Sequence, residues 1–155
     1  MATLTPGNGQ DLLALWKRGV ERRSPDDLLE LCARDIDFRP DPFSEPLIGL
    51  SAVHAHWNDF AASQANVEFD AERVWVSGNT VLASWHGAYT RRATAERVRV
   101  RGFMTLELGE DRKIQRFRQW PAERVVGTDS TFEVAQEQVM PAARGRHDRS
   151  AQQQP

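Results

Sequence analysis

The chain is poor in lysine, cysteine and tyrosine, and it has no long apolar run. Cys32 is the single cysteine, which excludes an internal disulfide and fits a reducing cytosol. No apolar stretch approaches the roughly 20 residues that a membrane-spanning helix needs. Met1 to Gly9 lacks a basic segment followed by an apolar one, so no export signal is expected and the predicted location is cytoplasmic. The net charge of -2 offers no basic surface for nucleic acid or an acidic membrane. Lys17 and Lys113 are the only lysines, so basic charge is nearly all arginine, a bias that GC-rich coding explains as readily as arginine chemistry does. Five Trp and seven Phe accompany one Tyr, and such bulky apolar rings suit a deep core or a hydrophobic pocket.

At 155 residues the chain makes one domain with a real core. Residues 1–9 read as a flexible leader, 10–140 as the folded domain and 141–155 as a disordered tail with no apolar residue larger than Ala. Gln10 to Arg22 places Leu12, Leu13, Trp16 and Val20 at helical spacing. Ser24-Pro25-Asp26-Asp27 opens a second helix with an N-cap, a proline in its first turn and acids at the positive end of its dipole. Cys32 reads as a small residue packing that helix. Asp35 to Phe38 alternates like a short strand, and Ser51 to Ala62 gives a third helix. Val67–Val76, Thr80–Arg91, Glu96–Leu108 and Lys113–Trp120 then read as strands joined by turns of Ser, Gly, Asn and Asp. Val125 to Met140 is a weaker segment, either a last strand or a packing piece. Helices first and an antiparallel meander afterwards is an α+β plan.

Alternation along the strands leaves both sheet faces apolar. Val81, Ala83, Trp85, Gly87 and Tyr89 share one side, opposite Leu82, Ser84, His86 and Ala88. Arg97, Arg99, Arg101, Phe103 and Thr105 oppose Val98, Val100 and Met104. One face meets the helices, and the other is free to meet a second subunit, so a homodimer through the sheet is expected.

Few side chains offer chemistry. His54 and His56 point apart on a helix and find no third ligand, so neither metal nor cofactor is expected. No serine occupies a nucleophile elbow and no glycine-rich phosphate loop occurs. What remains is Asp41 in Arg39-Pro40-Asp41-Pro42-Phe43-Ser44-Glu45-Pro46-Leu47-Ile48-Gly49. Two prolines stiffen the backbone around this acid, which suits an aimed general base and equally suits a plain surface turn. His56, Tyr89, Trp16 or an arginine are its possible hydrogen-bond donors, while the tryptophans also suit a core and the arginines a solvated edge.

The order of pieces resembles the ketosteroid-isomerase and SnoaL-like polyketide-cyclase superfamily over Gln10 to Ala122. The resemblance is carried by Leu31-Cys32-Ala33-Arg34-Asp35, Asp41-Pro42-x-Ser44-Glu45-Pro46-x-x-Gly49 and the closing Ile114-Gln115-Arg116-Phe117-Arg118-Gln119-Trp120. It implies the nuclear transport factor 2-like fold, a cone-shaped, curved, mixed but mainly antiparallel sheet with three N-terminal helices on its concave face. It also implies Asp41 at or next to the general-base position, with His56 orienting or relaying the proton. Trp16 stands where isomerases carry an oxyanion tyrosine, and Arg101 where they carry a protonated aspartic acid. The same resemblance puts Trp57, Trp85, Phe103, Arg118 and Trp120 on the pocket wall, and Tyr89 is counted with them. The expected activity is acid–base chemistry beside a carbonyl (isomerisation, cyclisation or dehydration) on a small, largely apolar, oxygenated molecule. A ligand-binding or dimerising module without catalysis is the alternative. Epoxide-hydrolase-like activation of water ranks below both, because Arg97, Arg99 and Arg101 alternate without an aspartate.

Overall fold

The computed structural model describes residues 3–132 and 134. The sequence-derived tail 141–155, and residues 133 and 135–140 of the segment 125–140, lie outside the described residues.

Helix α1 spans Pro6–Glu21 and so starts within the stretch read as a leader. Its start is set by Thr5 and Asn8, which form a capping box: Asn8 N donates to Thr5 Oγ1 (3.2 Å) and Thr5 N to Asn8 Oδ1 (2.8 Å). Leu4 is buried in the core ahead of it, so the chain is anchored before Gln10. At the other end Arg23 N donates to Val20 O and Ser24 N to Gly19 O, a Schellman turn that places Arg23 at φ +51°. Helix α2 (Pro25–Leu29) follows at once, capped by Ser24.

Strand β1 spans Cys32–Arg39, and the two-residue strand β2 is Leu47–Ile48. Cys32 therefore starts a strand and does not sit in a helix, and burial pushes its thiol up to about 12. Helix α3 (Leu50–Ser63) runs directly into β3 (Gln64–Ser77), with β4 (Thr80–Arg91), β5 (Glu96–Leu108) and β6 (Ile114–Thr128) after it. The strand order is β2-β1-β6-β5-β4-β3, antiparallel except for β1 beside β6. Register shifts in β3, between Ala65 and Glu68 and again between Ala71 and Arg73, bend that strand. The sheet is curved around the helices and is not closed, since β2 and β3 are its two edges.

The fold is thus α+β with a mixed sheet and helices on one side. The core lies between them, with Ile36, Phe38, Val53, Met104, Leu106, Ile114 and Phe117 fully buried. Phe38 and Phe117 meet edge to face at 4.9 Å, and Trp16 and Trp57 close over them at 5.0 and 5.5 Å. Strand β6 continues through Pro121, eight residues past the end that the sequence suggests at Trp120. Its pairing with β1 stops at Arg118, so beyond that point β6 has a neighbour on one side only and tolerates a residue with no N–H. Among the described residues no helix is long and apolar enough to cross a membrane.

Candidate functional site

A cavity of about 170 Å³, open on one side, lies between the helices and the inner face of the sheet. Trp16 and Gly19 of α1, Leu28 of α2, Trp57 and Phe60 of α3, Phe69 of β3, Trp85 of β4 and Val100 of β5 make its wall apolar. Trp85 stacks on Phe69 with ring centroids at 5.3 Å. Its indole lies over Gly102, where an added Cβ would come within 2.7 Å of the ring, so the absence of a side chain there makes room for this wall. The Trp85 Nε1–H is buried with no partner among the described residues.

Polar groups gather toward the mouth. Tyr89, 9% exposed, donates through Oη to Glu123 Oε1 at 2.9 Å, and Arg91 Nη2 stands 3.6 Å from Glu123 Oε2. Burial first, and then this contact with Glu123, raise the Tyr89 phenol above its ordinary value of 10.0. His56 sits between the rings of Phe38 (5.7 Å) and Phe60 (5.1 Å). Burial lowers its imidazole below 6.5, against the opposing charges of Asp59 and Asp41. Gln119 and Pro121 share the Glu123 face of β6, and Glu68 and Arg23 complete the rim. Among the described residues no group of three His, Cys, Asp or Glu side chains is arranged to hold a metal ion.

The cavity unites Trp16, His56, Trp57, Trp85 and Tyr89 from the sequence-predicted set, and the other members of that set stand elsewhere. Asp41 does not line it. The Asp41 carboxylate closes its own turn, accepting from Ser44 Oγ, Phe43 N (2.9 Å) and Ser44 N (3.0 Å). Those donors, Ser44 Oγ foremost, hold it below the ordinary 3.8. The prolines stiffen a turn that the aspartate itself caps.

Arg101 is also not in the cavity. Its side chain is 77% exposed, and Nη1 pairs with Glu72 Oε1 at 3.2 Å on the outer face of the sheet. Phe103 and Trp120 share that face, with ring centroids 6.2 Å apart, and Trp75 lies 6.2 Å beyond Phe103. Arg118 binds Asp37 of β1, with Nη1 3.0 Å from Oδ1 and 2.9 Å from the backbone oxygen. Alternation explains each placement, because Val98, Val100 and Met104 point inward and the intervening Arg101 and Phe103 must point out. Glu123 and Gln119 are cavity residues that the sequence reading missed. Carrying the alternation of Phe117 through Pro121 puts both on the inner face.

A curved, open sheet sheathed on its concave side by helices, with an aromatic cavity between the two, defines the class of this protein. The chain belongs to the SnoaL-like domain family, whose model matches residues 12–117. No curated protein matches it in sequence. Among solved structures it is similar to the epoxide hydrolase/cyclase-like enzyme SalBIII, which acts in pyran ring formation in the polyether salinomycin. That match has a TM-score of 0.69 and 15% identity over 77% of this chain and 97% of the other. It is also similar to an M. tuberculosis LEH-like epoxide hydrolase (TM-score 0.63, 12% identity, 75% and 84% covered). A third is a Catenulispora acidiphila protein of ketosteroid isomerase-like fold in complex with trimethylamine (TM-score 0.65, 14% identity, 71% and 84% covered). At these identities the likeness is one of fold.

Proposed function

We propose that the cavity is the active site of a small-molecule enzyme that performs general acid–base chemistry beside a carbonyl of a largely apolar substrate. The observation that supports this is the Tyr89–Glu123–Arg91 chain at the polar end of an otherwise aromatic cavity. Tyr89 and Arg91 each approach a different oxygen of Glu123, which fixes the carboxylate for proton removal. Glu123 takes the proton α to the carbonyl, and the neutral His56 donates a hydrogen bond to the enolate oxygen. Returning the proton to another carbon gives isomerisation; delivering it from Glu123 to a departing β-hydroxyl, which leaves as water while the enolate collapses to the unsaturated carbonyl, gives dehydration. Asp41, with its lone pairs engaged by its own turn, shapes the loop beside His56 and is not the base in this reading.

Activation of water by the same carboxylate is the second reading, and two fold neighbours are described as epoxide hydrolase or epoxide hydrolase/cyclase-like. The test is therefore twofold: α-hydrogen exchange of 1-indanone in D2O followed by proton NMR, and ring opening of styrene oxide. Exchange above the buffer rate supports the carbonyl reading, and ring opening alone supports the water reading. Binding of 1-indanone with neither reaction supports a non-catalytic module.

The outer face supports a second copy of the chain as partner. Trp75 and Trp120 are 41% and 44% exposed there and flank Phe103 in one aromatic row. Charges of both signs surround the row, among them Arg101 with Glu72 and Arg116 with Glu107, a pattern that can complement itself across a two-fold axis.

A further inference from the structure

The charged groups at the cavity mouth differ in what already holds them. Glu123 is engaged by Tyr89 and Arg91, and Glu68 by Arg97 at 2.9 Å. Arg23 stands on the same rim, and among the described residues no carboxylate pairs with it. Its Nη1 donates to Ala61 O (3.1 Å) and Gln64 O (2.9 Å), where α3 passes into β3. Both bonds use one nitrogen, and among the described residues Nε and Nη2 have no partner.

The backbone adds a second observation. Arg23 occupies the left-handed position that ends α1, at φ +51°, where glycine is the unstrained residue. The chain carries there a long cationic side chain, strains the backbone to do so, and ties it across to the end of α3. The result is a guanidinium fixed at the edge of an aromatic cavity, with one nitrogen occupied and the rest of its fork available. Such a fork matches a carboxylate and holds its geometry better than a flexible ammonium would.

We propose that Arg23 recognises an anionic group of the ligand, and that the ligand is a small apolar carboxylic acid. Its ring or chain lies against Trp16, Trp57 and Phe69, with the carboxylate at the mouth on Arg23. Glu68 and Glu123 oppose this little, since each already faces a guanidinium. The inference rests on the cavity being a ligand site.

The experiment is calorimetric titration of the full chain with 3-phenylpropionate and, separately, its neutral analogue 3-phenylpropionamide, at low salt and neutral pH. The wild type is expected to bind the acid about fivefold more tightly than the amide, the size of one partly exposed charge contact. R23G suits the φ of that position and keeps the fold, which thermal melting checks. R23Q retains a donor for the α3 carbonyls. Both variants are expected to bind acid and amide equally, with amide affinity within about twofold of wild type, since only the charge contact is removed. Equal binding of acid and amide by the wild type, or a preference that survives in both variants, overturns the role of Arg23 and leaves the cavity reading intact. Failure of the wild type to bind either compound overturns the cavity reading and this inference with it.

Discussion

Tyr89 Oη lies 2.9 Å from Glu123 Oε1, and the two residues stand on strands separated by β5. The bond bridges over Val98 and Val100, so it joins the two sides of the cavity mouth. E123Q keeps the shape and a hydrogen-bond partner for Tyr89 and removes the base. Exchange of 1-indanone α-hydrogens is expected to fall about 100-fold in this variant, the lower end for loss of a positioned base. Y89F leaves the carboxylate less well fixed and is expected to cost about tenfold, one lost orienting contact. D41N is expected to leave exchange within about twofold of wild type, because the Asp41 oxygens serve their own turn. A large loss in D41N with normal E123Q would return the base to Asp41.

Gly102 and Trp85 define the second prediction. A methyl group at 102 would meet the Trp85 ring at 2.7 and 2.8 Å, distances that force the indole to move. Phe69 stacks on the same indole at 5.3 Å and the ring lines the cavity, so a shift of the indole alters the cavity wall. G102A is expected to destabilise the fold by about 1–3 kcal/mol, the usual cost of overpacking. It is also expected to weaken 1-indanone binding. Urea denaturation followed by tryptophan fluorescence measures the first, and calorimetry the second. Unchanged stability would mean that the indole is not confined as its contacts suggest.

The fold was legible because its signals are local. Ser24 is an N-cap, Pro25 fits the first helical turn and two aspartates follow, and the period-2 pattern from Thr80 to Leu108 leaves little choice of face. Trp57 and Trp85 were named for the pocket wall through the family resemblance, and Trp16 and Tyr89 also as possible hydrogen-bond donors; all four line the cavity. What failed was transfer of a resemblance across the sheet. The alternation of β5 already put Arg101 and Phe103 opposite Val100, and the outer face follows from that alone. Glu123 lies past Trp120, where the sequence-derived strand ends; β6 runs on because its β1 neighbour stops at Arg118, which permits Pro121 within the strand. Asp41 illustrates a third limit, since the spacing of prolines around an acid cannot tell a capped turn from an aimed base.

His56 gives a pH dependence. Burial holds its imidazole below 6.5, so the folded chain binds this proton less readily than the unfolded chain does. Above pH 6.5 both states leave the ring neutral and His56 adds no slope. As pH falls through 6.5 the unfolded state is protonated first, and stability declines toward the folded value. H56Q is expected to flatten that decline, measured as the difference between wild-type and variant urea midpoints at pH 7.5 and 5.5. Parallel midpoints for the two proteins would mean that the ring is as accessible as in a peptide.

Phe103 tests the outer face. It lies between Trp75 and Trp120, and an acid at this point would stand in the middle of any contact made by the aromatic row. The same position is remote from the cavity, so the substitution separates assembly from the site. Wild type is expected to sediment as a dimer and F103D as a monomer at micromolar concentration, because a buried unpaired carboxylate on each protomer opposes association. Near-ultraviolet circular dichroism of the inner tryptophans should remain, and so should 1-indanone binding. A wild type that sediments as a monomer would leave the row without a second copy as its cover. A dimer that survives F103D would put the contact on another surface.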